Sequence, residues 1–267
     1  MKIRPDNIKN LLMVIALIVF VLPANARGLS NASAINKAGR QRMLSQRIVK
    51  AYVMIGADIN VDEAHKELDN SVALFEEQYL ELEEYAPTPE IKQGLNEVFD
   101  LWKIFRMIAV DEPNKMDGLI LLVRSSDLLK ACDDVVALIE VYADTKTAKL
   151  VNISGRQRML SQRIAMLYFA NYWGFPDNDI IRVDIPAIYG SSVGLYEKSL
   201  RKLQKSPKNS VEISDRLDKV ATIWEMSEFN DKDLAREKLD PKAMYILTLE
   251  ILEEMDQITA LYEALGD

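Results

Sequence analysis

The ten-residue sequence GRQRMLSQRI occurs twice in this chain, at residues 39–48 and again at residues 155–164. Asn36 and Asn152 precede the two copies by the same distance, whereas the rest of the two halves agrees only at scattered positions. Packing alone tolerates hydrophobic substitution, so ten identical and mostly polar residues need a further reason. We interpret the chain as two homologous modules of about 120 residues, an ordinary domain size.

Hydrophobic spacing downstream of each copy predicts helices and gives no strand of useful length. Leu68, Val72 and Phe75, for example, follow the three-and-four spacing of one buried helix face. The predicted fold is all-α, with two tandem four-helix bundles in residues 27–146 and 147–267. In the first module the predicted helices are Asn31–Met54, Val61–Tyr85, a third from Thr88 that ends before Pro113, and a fourth that starts near Met116. In the second module the motif helix is followed by a helix from Asp184 or Pro186 to Gln204, and then by Ser210–Glu228 and Pro241–Ala264.

The connection between the modules is predicted to be helical. No Gly or Pro occurs from Leu119 to Ser154, so the fourth helix is expected to continue into the second motif helix. At ~1.5 Å per residue, such a shared helix would be on the order of 80 Å long. It would place the two bundles end to end.

Composition excludes several classes of function. The chain has 267 residues, a net charge of -8, one cysteine and one histidine. The acidic balance argues against a nucleic-acid partner. A single Cys132 and a single His65 exclude an intrachain disulfide, most catalytic triads and multi-histidine metal sites. We therefore predict no catalytic residue, no metal and no cofactor, and we expect His65 on the surface and Cys132 in the core.

The first 26 residues read as an export signal. A basic start is followed by the apolar run Leu11–Leu22, then by Pro23 and the small-residue pattern Ala24-Asn25-Ala26. The run is shorter than the ~20 residues that span a bilayer. We predict cleavage after Ala26 and a periplasmic protein, with an uncleaved membrane anchor as the alternative.

The repeated motif is cationic and rich in hydrogen-bond donors. Arginine offers a rigid fork of donors that suits oxyanions, and Gly39 in a helix is tolerated where a backbone or ligand approaches closely. One interpretation is therefore a receptor for a small planar anion. The alternative is structural, with the motif side chains pairing with acids on facing helices, for which Asp133 and Asp256 are candidates at matched positions.

The motif N-x-x-G-R-Q-R-M-L-S-Q-R-I resembles that of the PilJ-type domain, the N-terminal sensing domain of type IV pilus methyl-accepting chemotaxis transducers. It is also similar to the sensor domain of nitrate/nitrite-responsive kinases of the NarX type. In the nitrate sensors the domain is an antiparallel four-helix bundle whose first helices meet at a dimer axis and hold the anion. Carried over by alignment, that resemblance implies ligand binding by Gly39, Arg42, Gly155 and Arg158. The other motif positions are wider candidates: Asn36, Arg40, Gln46, Arg47, Asn152, Arg156, Gln162 and Arg163.

From these features we expect an exported sensory protein, not an enzyme, that binds an anion such as nitrate or nitrite and acts on a membrane-bound receptor or kinase. The alternative is a structural or protein-interaction module with no small ligand. With the modules end to end, the motifs of one chain could not meet. A site of the nitrate-sensor kind would then need a homodimer.

Overall fold

The computed structural model describes residues 28–176, 180–226, 234 and 240–266. The predicted export signal lies outside the described residues. Eight long helices, and no strand, are found in the described part of the chain. They are α1 (Asn31–Gly56), α2 (Val61–Tyr85), α3 (Pro89–Ala109), α4 (Lys115–Ala143), α5 (Lys146–Trp173), α6 (Ile185–Gln204), α7 (Val211–Met226) and α8 (Pro241–Ala264). The predicted all-α class is confirmed.

Helix boundaries follow the capping residues. Thr88 accepts a hydrogen bond from the Ile91 amide, and Pro89 occupies the first turn of α3. Asp184 caps α6 in the same way, through the amide of Ala187. Because these caps are local in the sequence, most helix starts were predictable within one or two residues.

The long shared helix was a wrong prediction. The chain reverses between α4 and α5, where Asp144 adopts a left-handed conformation (φ 46°, ψ 42°). Thr145 then caps α5 by accepting a hydrogen bond from the Ala148 amide. Aspartate is one of the few residues besides glycine that enters the left-handed region readily. The lack of Gly and Pro therefore did not guarantee a continuous helix.

That reversal makes α5 run parallel to α1 and packs the two modules side by side. Among the described helices, the two motif helices make the most extensive contact with each other. In the first module α1 also packs on α2 and α4, and in the second module α5 packs on α6 and α8. Both motif helices are consequently buried on nearly all faces, although their sequences are polar.

Hydrophobic residues of both modules form one continuous core around the central helix pair. Trp102 in α3 and Trp224 in α7 are buried at matched positions. Trp102 stacks on Phe75, and Trp224 stacks on Tyr196. Cys132 is buried and His65 is exposed, as the sequence predicted.

Candidate functional site: the paired motif helices

Two fully buried arginines meet at the contact between α1 and α5. Arg42 and Arg158 each have 0% exposure. A Cβ atom built on Gly39 would lie 3.1 Å from Nη2 of Arg42 and 3.9 Å from Nη2 of Arg158. A Cβ on Gly155 would lie 3.1 Å from Nη2 of Arg158 and 3.6 Å from Nη2 of Arg42. The missing side chains of the two glycines thus leave the space into which both guanidinium groups point.

Each buried arginine is paired with an aspartate of the last helix of its own module. Arg42 Nη1 donates to Asp133 Oδ1, and Arg158 Nη1 donates to Asp256 Oδ1 at 2.5 Å. The aspartates also bind an exposed or half-buried arginine of the other module, since Arg156 contacts Asp133 at 3.3 Å and Arg40 contacts Asp256 at 3.3 Å. Asp133 and Asp256 therefore tie the modules together with approximate two-fold symmetry, as the structural interpretation of the motif expected.

These arginines determine the protonation of the two aspartates. Burial opposes ionisation of Asp133, but the charge of Arg42 and its hydrogen bond outweigh that effect and lower the pKa of the carboxyl. Burial likewise opposes ionisation of Asp256, and the charges of Arg158 and Arg40 lower its pKa. Both aspartates are consequently ionised at neutral pH.

The two asparagines before the motif complete this layer. Arg158 Nη2 donates to Asn36 Oδ1 at 2.8 Å, and Arg42 Nη2 donates to the Asn152 carbonyl at 3.4 Å. Asn36 donates in turn to Glu263 of the second module at 2.5 Å. These three contacts cross between the modules, so the side-by-side packing of the motif helices joins the two halves of the layer.

Like charges approach each other at the centre of the layer. Four arginines surround two aspartates, and Glu263 and Glu140 accept hydrogen bonds from the side chains of Asn36 and Asn152. The guanidinium groups of Arg42 and Arg158 are close enough to repel each other. The Nε atoms of Arg42 and Arg158 are buried and have no hydrogen-bond partner among the described residues. Asn152 Oδ1 is likewise buried and without a partner among the described residues. Unpaired guanidinium donors in a site shielded from water favour a small anion.

A second polar layer lies further along the same helices. Arg163 Nη1 donates to Gln46 Oε1 at 3.0 Å. Lys50 Nζ donates to Gln162 Oε1 at 2.7 Å and forms an ion pair with Glu67, also at 2.7 Å. Gln46 and Gln162 further donate to backbone carbonyls of α4 and α8, which fixes the depth at which these helices pack.

The second layer is asymmetric, which the motif did not predict. Lys50 is fully buried, Glu67 is 3% exposed, and Arg47 Nε lies 3.4 Å from Glu67. At the matched positions of the second module stand Met166 and Ile188. Because Lys50 and Glu67 are not repeated in the second module, the internal repeat gives no sign of them.

All twelve predicted site residues lie on the central pair of helices, and most make contacts between the modules or with the last helices. We expected that a second chain must bring the motifs together, because the modules were predicted to lie end to end. That arrangement was wrong, since the turn at Asp144 brings the two motifs together within one chain. Among the described residues, no group of His, Cys, Asp and Glu could hold a metal ion. No helix in the described ranges is long and apolar enough to cross a membrane.

The comparison with protein families agrees with the repeat. The family model described as type IV pili methyl-accepting chemotaxis transducer N-terminal domain, PilJ, matches residues 24–112 and 143–243. No curated protein and no solved structure matches the chain. The similarity to nitrate sensors rests on the motif and stays a prediction. With two matched segments that together cover most of its length, the chain belongs to the PilJ family and carries two tandem copies of that sensory domain.

Proposed function

We propose that this chain is an exported sensory protein that binds one small oxyanion, of the nitrate or nitrite type, between Arg42 and Arg158. Residues 1–26 would serve as its signal peptide, with the modules at residues 27–146 and 147–267 in the periplasm. The family is one of chemotaxis transducer domains, so the bound state would act on a membrane-bound receptor or kinase.

The convergence of two buried guanidinium groups on two glycines is the observation that carries this proposal. Bringing like charges together in a site away from water is costly, because the effective dielectric constant there is low. An oxyanion placed between Arg42 and Arg158 would accept hydrogen bonds from both and relieve their repulsion. Gly39 and Gly155 would allow the anion to approach the helix backbones.

The neighbouring polar residues support the same assignment. Asn36 and Asn152 orient the guanidinium groups, and Arg40 and Arg156 hold the aspartates from the opposite module. Gln46, Arg47, Gln162 and Arg163 form the layer beneath and would help to position the motif helices rather than contact the anion.

Thermal unfolding in the presence of different anions tests the proposal. Nitrate and nitrite at constant ionic strength should raise the melting temperature relative to chloride, with stabilisation growing as RT ln(1 + [L]/Kd). Arg42→Lys with Arg158→Lys keeps both charges but removes the planar forks, and should abolish the anion-specific rise. Arg106→Lys, at an exposed arginine of α3, is the matched control.

The aspartate pairs favour a second candidate, a purely structural module. Arg42 and Arg158 already have carboxylate partners, so the motif could serve only to join two helical bundles. That candidate expects equal melting temperatures in nitrate and chloride. It also expects the lysine variants to lose stability without changing any response to anions.

A further inference from the structure

The outer face of the first module carries a groove between α2 and α3, on the side away from the motif helices. These two helices make little direct contact with each other, whereas each packs closely on α1 or α4. The groove has a volume of about 600 Å³. That volume lies within the range of small-molecule sites.

Aromatic side chains form one wall of the groove. Tyr79 and Phe99 are stacked, with ring centroids 5.4 Å apart and planes inclined by 24°. Trp102 closes the floor and is nearly buried, but Phe99 is 42% exposed and the neighbouring Leu80 is 63% exposed. A ligand in the groove would therefore cover apolar surface that now faces water.

Two acidic side chains, Glu76 and Glu83, line the groove together with Asn96. Glu76 is occupied, because its Oε1 accepts hydrogen bonds from Arg106 Nε at 2.6 Å and from Trp102 Nε1 at 3.4 Å. Glu83 lies one turn after Tyr79, is exposed, and has no ion pair or hydrogen bond with any described residue. A free carboxylate next to aromatic faces is suited to a cation.

The structure already contains one cation on this aromatic wall. Lys103 Nζ lies 5.2 Å from the centroid of the Phe99 ring. Cations bind to aromatic faces through the ring quadrupole, and the effect is larger when water is excluded. Lys103 and Tyr79 thus already contact the Phe99 ring, and a ligand in the groove would pack on the part of Phe99 that stays exposed.

The second module shows that the fold does not need these residues. Trp102 corresponds to Trp224, which is retained at the same place in the core. Four of the groove-lining residues around it are replaced by different residues. In order, Tyr79, Leu80, Glu83 and Phe99 correspond to Leu200, Arg201, Gln204 and Ala221. Glu76 is retained as Glu197, so what belongs to the first module alone is the combination of Glu83 with Tyr79, Leu80 and Phe99.

We propose that the α2–α3 groove binds a small hydrophobic organic cation of the arylalkylamine class. The ammonium group would pair with Glu83, and the apolar part would pack on Leu80 and on the stacked pair Tyr79 and Phe99. This site is separate from the paired motif helices. It would bind a cation, whereas the motif helices would bind an anion, so a test of one proposal does not decide the other.

Titration of isotope-labelled protein with phenethylammonium, followed by NMR, tests the site. Amide shifts are expected in α2 and α3 near the groove, with none in α6 and α7 of the second module. Glu83→Gln and Phe99→Ala, which introduce the residues of the second module, should each weaken binding about threefold to fivefold, as expected for the loss of one exposed charge pair or of one apolar contact. Glu77→Gln makes the same charge change on the same helix outside the groove and should leave the affinity unchanged.

Two comparison ligands complete the test. The neutral analogue 2-phenylethanol should bind more weakly than phenethylammonium, because it cannot pair with Glu83. Equal affinity of the two, or equal weakening by Glu77→Gln and Glu83→Gln, would overturn the proposal. Tighter binding of Nα-acetyl-lysine amide than of phenethylammonium would also contradict it, and would indicate a basic side chain of a protein in place of a free amine.

Discussion

At the scale of single residues, the two glycines of the repeated motif allow an experiment that distinguishes ligand binding from structural pairing. Glycine in the middle of a helix costs about 1 kcal/mol relative to alanine. Gly39 and Gly155 both lie next to the guanidinium groups of Arg42 and Arg158. An alanine Cβ at either position would lie 3.1 Å from a buried guanidinium group, so the absence of a side chain leaves room for the arginines and for an anion bound between them.

We expect the double variant Gly39→Ala and Gly155→Ala to fold normally and to lose its response to nitrate. The new methyl groups would lie 3.1 Å from the ends of flexible arginine side chains, which can shift. The free energy of unfolding without anion should therefore stay within about 1 kcal/mol of the parent value. Thermal unfolding with nitrate and with chloride checks both statements, and a retained nitrate-specific rise would place the anion elsewhere.

The buried carboxylates predict how stability depends on pH. The pKa values of Asp133, Asp256 and Glu67 are lowered in the folded protein, because nearby arginines and Lys50 outweigh the effect of burial. A lowered folded pKa stabilises the protein fully above the unfolded value, near pH 4, and this contribution is lost as the pH falls through the folded pKa.

The melting temperature should accordingly change little between pH 7 and about pH 5 and fall steeply below about pH 4. Asp133→Asn with Asp256→Asn should lower the melting temperature at pH 7, because Arg42 and Arg158 lose their carboxylate partners. The variant should also flatten the acid fall, because these positions no longer bind protons differently in the two states. A double variant with the same steep acid transition as the parent would show that the two carboxyl groups contribute little, which their partial exposure would then explain.

At the scale of helices, capping residues made most boundaries predictable from the sequence. Thr88-Pro89 and Asp184 mark helix starts by chemistry that acts over three or four residues. The break between α4 and α5 was missed, because it depends on a left-handed Asp144 and a Thr145 cap within an otherwise helix-compatible run. The end-to-end arrangement was wrong as a direct consequence.

Some residues of the candidate site were likewise predictable from the sequence, and others were not. Its twelve motif residues were visible because the chain repeats them, and the pairing with Asp133 and Asp256 was visible because these acids also recur at matched positions. Lys50 and Glu67 were not visible, since neither is repeated and they come together only through packing of α1 on α2. The internal repeat therefore identifies residues that both modules share, but it cannot identify residues that occur in only one of them.

The second module supplies a test of the Lys50–Glu67 pair. Lys50→Met alone leaves Glu67 buried beside a single partly exposed arginine, and should cost about 3–5 kcal/mol of stability. Lys50→Met with Glu67→Ile introduces the residues found at the matched positions of the second module. Because a hydrophobic replacement of a buried ion pair is often neutral or better, the double variant should recover most of that loss.

Chemical denaturation of the two variants and the parent measures these free energies. The single variant Met166→Leu, which changes shape but not charge at the matched position, serves as a packing control. A double variant no more stable than Lys50→Met would mean that Lys50 acts through Gln162 and Tyr245, its other neighbours, more than through Glu67.

At the scale of the whole molecule, the tandem repeat reproduces within one chain the geometry that two identical chains would form around a two-fold axis. Equivalent helices run parallel, equivalent arginines face each other, and each module's aspartate binds an arginine of the other module. Covalent fusion makes this contact independent of protein concentration. It also permits asymmetry, as the ion pair of Lys50 and the groove beside Glu83 show.

The central claim is that the two motifs of one chain form a single anion site, and the stoichiometry of nitrate binding tests it most directly. Isothermal titration calorimetry of the protein without residues 1–26, with its molecular mass in solution measured under the same conditions, gives the number of anions bound per chain. The account predicts one nitrate per monomeric chain, and none for the variant carrying Gly39→Ala and Gly155→Ala. Two nitrates per chain, or one nitrate per pair of chains, would contradict it.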